Sequence, residues 1–210
     1  MKGTVFAVAL NHRSQLDVWH QAFGEAPYQT PPKTPVWFIK PCNTLLAHGG
    51  TIPLPMGETV YSGATLAVMI GHTARKVPVA QATDYIAGYA LANDISLAEE
   101  SFYRPAIKAK CRDGFCPLGE RGRPAEISQL HIITEINGVE QDRWSTADLL
   151  RSASELVAAI SDFITLQPSD ALLIGTPSQR VILKPGDEVT VRAAGLPTLR
   201  NRAAQEGSQP

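Results

Sequence analysis

The amino-acid sequence predicts an α+β domain that is mainly β. Three observations point there. Short apolar runs are cut throughout by 16 glycines and 16 prolines. A tight hairpin signal stands at Asn137-Gly138. There is one extended helical pattern, and no alternation of strands and helices of the kind a doubly wound parallel sheet requires. At 210 residues the chain is long enough for one sizeable core. It shows no linker or internal repeat, so residues 1–202 are expected to form a single domain and the small, polar residues 203–210 a flexible tail.

Thr4 to Leu10 reads as a strand, and Ser14 to Phe23 as a short helix with Leu16, Trp19 and Phe23 on one face. Pro27 to Pro35 is a loop, Val36 to Ile39 a strand stopped by Pro41, and Asn43 to Glu58 a turn-rich stretch. Ala64 to Gly71 and Tyr85 to Ala92 are apolar runs of strand length, the second ending at Asn93-Asp94. Ser96 with Glu99 three residues on predicts a capping box and a short helix closed by Pro105. His131 to Ile136 and Val139 to Trp144 are the arms of the hairpin. Thr146 opens the clearest helical pattern, in which Leu149, Leu150, Ala153, Leu156, Val157, Ile160, Phe163 and Ile164 recur at helical spacing; the longest helix is expected within Thr146 to Leu166. Ala171 to Ile174 and Glu188 to Arg192 read as strands, with a Lys184 to Asp187 turn before the second.

Several function classes find no support. A net charge of -1 without a Lys/Arg-rich run gives nucleic acid no electrostatic footprint. The apolar run Thr4 to Leu10 is too short for a signal peptide and lacks a charged leader. No stretch approaches the roughly 18 apolar residues that span a bilayer. Cys42, Cys111 and Cys116 are odd in number and lack zinc-type spacing, so they read as thiols and the chain as cytoplasmic. None of His12, His20, His48, His72 and His131 sits in a compact ligand spacing. Nucleophile-elbow, Walker and dinucleotide fingerprints do not occur.

The unusual segment is Lys108 to Gly119, where Lys108, Lys110, Arg112 and Asp113 stand among Gly, Pro and Cys. A cationic loop suits an anionic substrate, and equally a solvated surface. Its run Lys110-Cys111-Arg112-Asp113-Gly114-Phe115-Cys116-Pro117-Leu118-Gly119 resembles a run found in the fumarylacetoacetate hydrolase family. So, in order, do Phe38-Ile39-Lys40-Pro41, Leu66 to Gly71, Ile86 to Ser96, Ile136-Asn137-Gly138, Ile174-Gly175-Thr176-Pro177 and Leu183 to Asp187, which together cover most of the chain. The fold this resemblance implies is a mixed β-sheet roll with one long helix and short ones. Leu10 to Asp17, Ser62 to Thr65 and Ser101 to Asp113 resemble, more finely, the N-terminal half of those members that act in 4-hydroxyphenylacetate (homoprotocatechuate) catabolism. The activity implied is that of an isomerase/decarboxylase: decarboxylation of 5-oxopent-3-ene-1,2,5-tricarboxylate and isomerisation of 2-hydroxyhepta-2,4-diene-1,7-dioate.

Members of the family hold Mg²⁺ or Mn²⁺ with a Glu-x-Glu pair and the Asp of an Asn-Asp-x-Ser stretch. Here the paired positions are Gly63 and Thr65, and only Asp94 remains. One carboxylate holds such an ion poorly, so tight metal binding is not expected. The family's His-x-x-Glu dyad is replaced by Gln15 and Val18, which removes a His-activated water. What the resemblance leaves is Asp94, Lys110 and Thr176 as catalytic candidates, with Arg104, Lys108 and Arg112 as carboxylate binders. Each has a plainer reading: Asp94 and Thr176 as turn residues, Lys110 as a solvated lysine. Two functions from different classes remain. One is an enolate-stabilising enzyme unit, as a homodimer or beside a sister C-terminal-type subunit that keeps the metal. The other is a catalytically degenerate structural partner of that sister.

Overall fold

The computed structural model of the chain describes residues 3–98 and 105–207. Two five-stranded mixed sheets carry the fold. The first runs Val36–Lys40, Val5–Ala9, Ala171–Leu173, Ala64–Ile70, Ile86–Asn93, with one parallel pair, Val5–Ala9 against Ala171–Leu173. The second runs Val139–Ser145, His131–Ile136, Glu188–Arg192, Leu199–Gln205, Thr51–Leu54, with its parallel pair at the Thr51–Leu54 edge.

Alternation along the strands explains why the first sheet reads as continuous apolar runs. Leu66, Val68 and Leu91 point into a core shared with Ile132, Val191 and Leu199 of the second sheet and with Leu156, Val157 and Ile160 of a helix. Ala67, Ala90 and Ala92 point the other way and are buried with Val5, Leu173 and Cys116. A sheet covered on both faces has no polar side to show in its sequence. The hairpin forms at Asn137-Gly138, both residues taking the left-handed backbone (φ 52° and 80°) that a tight two-residue turn needs.

Four expectations are corrected. The helix within Thr146 to Leu166 is only the nine-residue Ala153–Ser161, and the longest among the described residues is the eleven-residue Arg13–Phe23. Residues before it are diverted: Leu150 N donates to Asn11 O (2.8 Å) and Arg151 N to Asn11 Oδ1 (3.1 Å), so the helix starts at a Ser152–Glu155 capping box instead. At its far end the Ser161 carbonyl accepts from Lys76 N (2.8 Å) and Arg75 Nη1 (2.9 Å), and Leu166 pairs with Ala74 in extended conformation.

The tail is not frayed from Ala203 onward. Ala203 to Gln205 continue a strand paired with Ile52 to Leu54, and Ala203 is fully buried. The partner strand lay hidden in the turn-rich stretch, where Pro53 suits the sheet edge it occupies. Ser96 does not cap a helix; its N–H and C=O both bond Tyr61, and Glu99 lies outside the described residues.

Candidate active site

The antiparallel strands Ala64–Ile70 and Ile86–Asn93 end together, with Ala64 opposite Asn93. The Asn93 side chain fixes the way the chain leaves its strand: its Oδ1 accepts from Gly63 N (2.8 Å) and Ser62 Oγ (3.0 Å). Asp94 N then donates to Gly63 O (2.8 Å), which sets the Asp94 carboxylate one residue beyond the strand. Two ammonium groups meet it there. Lys40, at the end of its strand, donates to Oδ1 at 2.9 Å, and Lys110, at the end of the short helical turn Ile107–Lys110, donates to Oδ2 at 2.5 Å. All three side chains are buried.

The two lysines are held differently. Lys40 Nζ also donates to Ile95 O (3.2 Å) and Lys110 O (2.7 Å), so its three N–H donors are all engaged and it ties the loop to the strand end. The Lys110 ammonium also lies over the Phe38 ring, 5.0 Å from its centroid. Burial by itself would push the Asp94 carboxyl up. The charges of Lys110, Lys40 and Arg180 outweigh it and hold the group well below the usual carboxylate range. Asp94 is therefore ionised at any working pH and is a poor proton shuttle. Burial pushes the neighbouring Cys116 thiol up to about 12 and raises that of the less buried Cys111 as well.

Thr176 follows Gly175, whose φ of 107° turns the chain out of the first sheet. Its Oγ1 accepts from Arg180 Nη2 (3.3 Å), and Arg180 Nη1 donates to Ser96 Oγ. Arg180 lines a cleft of about 240 Å³ with Gln15, Val18, Trp19, Tyr61 and Ser178. The structure thus joins three of the expected residues, Asp94 and Lys110 directly and Thr176 through Arg180. Lys108 and Arg112 it places elsewhere. Lys108 is solvent-exposed with Glu58 at 3.5 Å; Arg112 reaches Glu206 at 3.6 Å and lies over Phe115. Arg104 lies outside the described residues. Sequence reasoning missed Lys40 as a site residue, though it stands in the Phe38-Ile39-Lys40-Pro41 piece that resembles the family. It also missed Arg180, whose only signal is an arginine soon after Gly175-Thr176-Pro177.

The residues present do not fit a divalent ion. A Cβ on Gly63 would sit 2.8 Å from Asp94 O and 3.2 Å from Thr176 Cγ2, so a longer side chain there requires the backbone to shift. Thr65 Oγ1 is committed to Gly175 O at 2.6 Å. Asp94 has a lysine on each oxygen, and a hard cation would have to displace one of them against the field of three positive groups. Gln15, on the cleft wall, spends its Oε1 on Leu10 N (2.8 Å), at a residue with φ 58°.

Residues 4–204 match the family described as Fumarylacetoacetate (FAA) hydrolase C-terminal. The chain belongs to the fumarylacetoacetate hydrolase family. It is 62% identical over 206 residues to the 4-hydroxyphenylacetate degradation bifunctional isomerase/decarboxylase of Salmonella dublin, covering 98% of this chain and 48% of that protein. The chain spans about half the length of the curated relatives it matches. Among solved structures, 5-carboxymethyl-2-hydroxymuconate delta-isomerase from Mycobacterium smegmatis superposes with a TM-score of 0.84 at 31% identity, covering 98% of this chain and 80% of that one. 2-Hydroxyhepta-2,4-diene-1,7-dioate isomerase from Mycobacterium marinum gives 0.83 at 29%, covering 98% and 76%. The mixed-sheet fold of the family is therefore the fold found here. No helix among the described residues is long and apolar enough to cross a membrane.

Proposed function

We propose that the chain is an isomerase/decarboxylase unit of 4-hydroxyphenylacetate catabolism. It acts on 5-oxopent-3-ene-1,2,5-tricarboxylate and 2-hydroxyhepta-2,4-diene-1,7-dioate by stabilising an enolate with its own cations. The observation that carries this reading is the convergence of Lys40, Lys110 and Arg180 on a single carboxylate, Asp94, beside a cleft.

Both reactions build the same charge. In decarboxylation the C–C bonding pair stays with the substrate as a dienolate while carbon dioxide leaves, and a carbon is then protonated. In isomerisation the 2-hydroxyl group loses its proton and a carbon of the diene gains one. A cation aimed at that oxygen favours the transition state over the ground state, which is the part of binding that accelerates chemistry. Lys110 supplies the charge and Asp94 holds its ammonium in place. The Thr176 hydroxyl, fixed by Arg180, donates a hydrogen bond to the same oxygen.

A second reading has an observation in its favour. Lys110 and Thr176 are only 2% and 3% exposed, and the relatives carry another half of similar length. On that reading the chain is a structural partner of a metal-binding sister unit. Spectrophotometric assays with both substrates, of the purified chain alone and mixed with the sister half, separate the two. Turnover above that of the sister half by itself supports the enzyme; equal turnover moves the assignment to the partner role.

A further inference from the structure

We infer that Gln15 is a fixed hydrogen-bond donor in the wall of the cleft and makes the cleft select ligands that present a carboxylate oxygen to it. The inference rests on the proposed substrate class and names the residue that reads one carboxylate end.

The Gln15 amide can stand only one way round. Leu10 is buried, and its backbone takes the left-handed region at φ 58°. Its N–H donates to Gln15 Oε1 at 2.8 Å. Flipping the amide would set an NH2 group against that N–H, two donors with no acceptor between them. A buried backbone N–H without an acceptor is costly, so the oxygen stays on Leu10 and the nitrogen is turned away from it. Among the described residues, the fully buried side-chain atoms that lack a partner are His12 Nε2 and Arg112 Nε. Gln15 Nε2 is not one of them, and it bonds no protein group among the described residues, although the residue is only 4% exposed. The open space that Gln15 borders is the cleft, so its two N–H donors are left for a ligand there.

The support is rigid. Gln15 lies in the first turn of the helix Arg13–Phe23, and its backbone N–H donates to His12 O (3.0 Å). Its neighbour Ser14 accepts from Ser178 N through Oγ at 3.0 Å, which ties the helix start to another part of the cleft wall. A donor already held in one direction loses little freedom when a ligand binds. An amide nitrogen donates and does not accept. It opposes an ammonium group and forms a charge-assisted bond with a carboxylate. The rest of the wall suits a small conjugated diacid: Val18, Trp19 and Leu97 offer apolar surface, and Tyr61 and Ser178 offer hydroxyls. Hydroxyls both give and accept, so they adapt to either kind of ligand, whereas Gln15 admits one kind.

The test is whether ligand preference changes sign with the side chain. Two conjugated probes of equal chain length, hexa-2,4-dienedioate and hexa-2,4-diene-1,6-diamine, are titrated calorimetrically into the full chain and into Gln15→Glu. At about pH 8 the diacid is a dianion, the diamine a cation and the glutamate ionised. Glutamate keeps an oxygen for Leu10 N–H and replaces the two donors with an acceptor, so it preserves the support of Leu10 and reverses what the cleft meets. The wild-type chain should bind the diacid and not the diamine. Gln15→Glu should bind the diacid about 10- to 100-fold more weakly, the range for losing a charge-assisted hydrogen bond, and should gain affinity for the diamine. A residue that served only to hold Leu10 would leave both affinities unchanged. Thermal melting shows whether the variant is folded. If it is not, Gln15→Met carries the test, with a loss of diacid binding of about 10-fold expected and no gain for the diamine.

Wild-type diacid affinity in the folded variant overturns the inference, and so does a wild-type chain that fails to bind the diacid. Binding that depends on Gln15 without turnover of either substrate leaves the donor standing and removes the enzyme reading. Turnover with unchanged KM in Gln15→Glu removes the donor and leaves the enzyme reading.

Discussion

Lys108, Lys110 and Arg112 lie within five residues on one loop, and the fold sends them to opposite environments. Lys110 turns inward, is 2% exposed and bonds the Asp94 carboxylate at 2.5 Å. Lys108 stays in solvent with Glu58 3.5 Å away, and Arg112, half-buried, reaches Glu206 at 3.6 Å. The helical turn Ile107–Lys110 makes the division. Lys110 N donates to Ala106 O, and Lys40 Nζ grips the Lys110 carbonyl, so residue 110 faces the strand ends while residues 108 and 112 face away. The energetic contrast is larger than the sequence separation suggests. Exposed pairs contribute roughly 0–1 kcal/mol, whereas removing one partner of a buried pair costs about 3–5 kcal/mol.

The sharpest way to break the comparison is to remove the inward carboxylate. Asp94→Ala removes the carboxylate that the buried Lys40 and Lys110 share and is expected to lose about 3–5 kcal/mol in urea denaturation. A loss under 1 kcal/mol would place the cluster on the surface side of the contrast. Lys110→Met comes next. It leaves Asp94 bonded to Lys40, so it should cost about 1–3 kcal/mol, and turnover should fall about 10²-fold, as for loss of one oxyanion partner. The stability cost differs from that of a solvated lysine, which the loop composition alone allows; burial is the reason.

Lys108→Met should change stability by less than about 1 kcal/mol, and both Lys108→Met and Arg112→Met should leave KM within about twofold. A clear rise in KM for either would return it to the substrate-binding role that the loop's composition suggests. The smallest effect expected is a pH effect away from the loop. His12 is buried against Trp144, and desolvation lowers its pKa from the ordinary value of about 6.5. The unfolded chain therefore takes up this proton first. Stability from this group is present above pH 6.5 and declines as pH falls below it, and His12→Gln should flatten that part of the profile. Asp94 behaves differently, since its depressed pKa keeps the cluster charged until far lower pH.

The sheet elements were legible because their signals are local. Ala64–Ile70 and Ile86–Asn93 are apolar through their length, and Asn137-Gly138 names its own turn. The helix after Thr146 was overread because its apolar spacing persists through residues that tertiary bonds to Asn11 and Arg75 pull out of helical conformation. The strand Thr51–Leu54 and the end of Leu199–Gln205 escaped notice because each is completed only by the other, about 150 residues away. In the site, Asp94, Lys110 and Thr176 came from motif resemblance, not from periodicity. Lys40 and Arg180 were missed because their roles depend on facing Asp94 and Thr176 across the fold, and one sequence records no such pairing.

On the proposed reading the chain's own cations, and not a bound ion, meet the developing charge. The direct measurement is turnover of 5-oxopent-3-ene-1,2,5-tricarboxylate by the isolated chain in excess chelator, repeated with saturating Mg²⁺ or Mn²⁺. Equal rates, within about twofold, are expected, because no set of carboxylates among the described residues stands ready to hold an ion at Asp94. Turnover abolished by chelator and restored by either metal would contradict it.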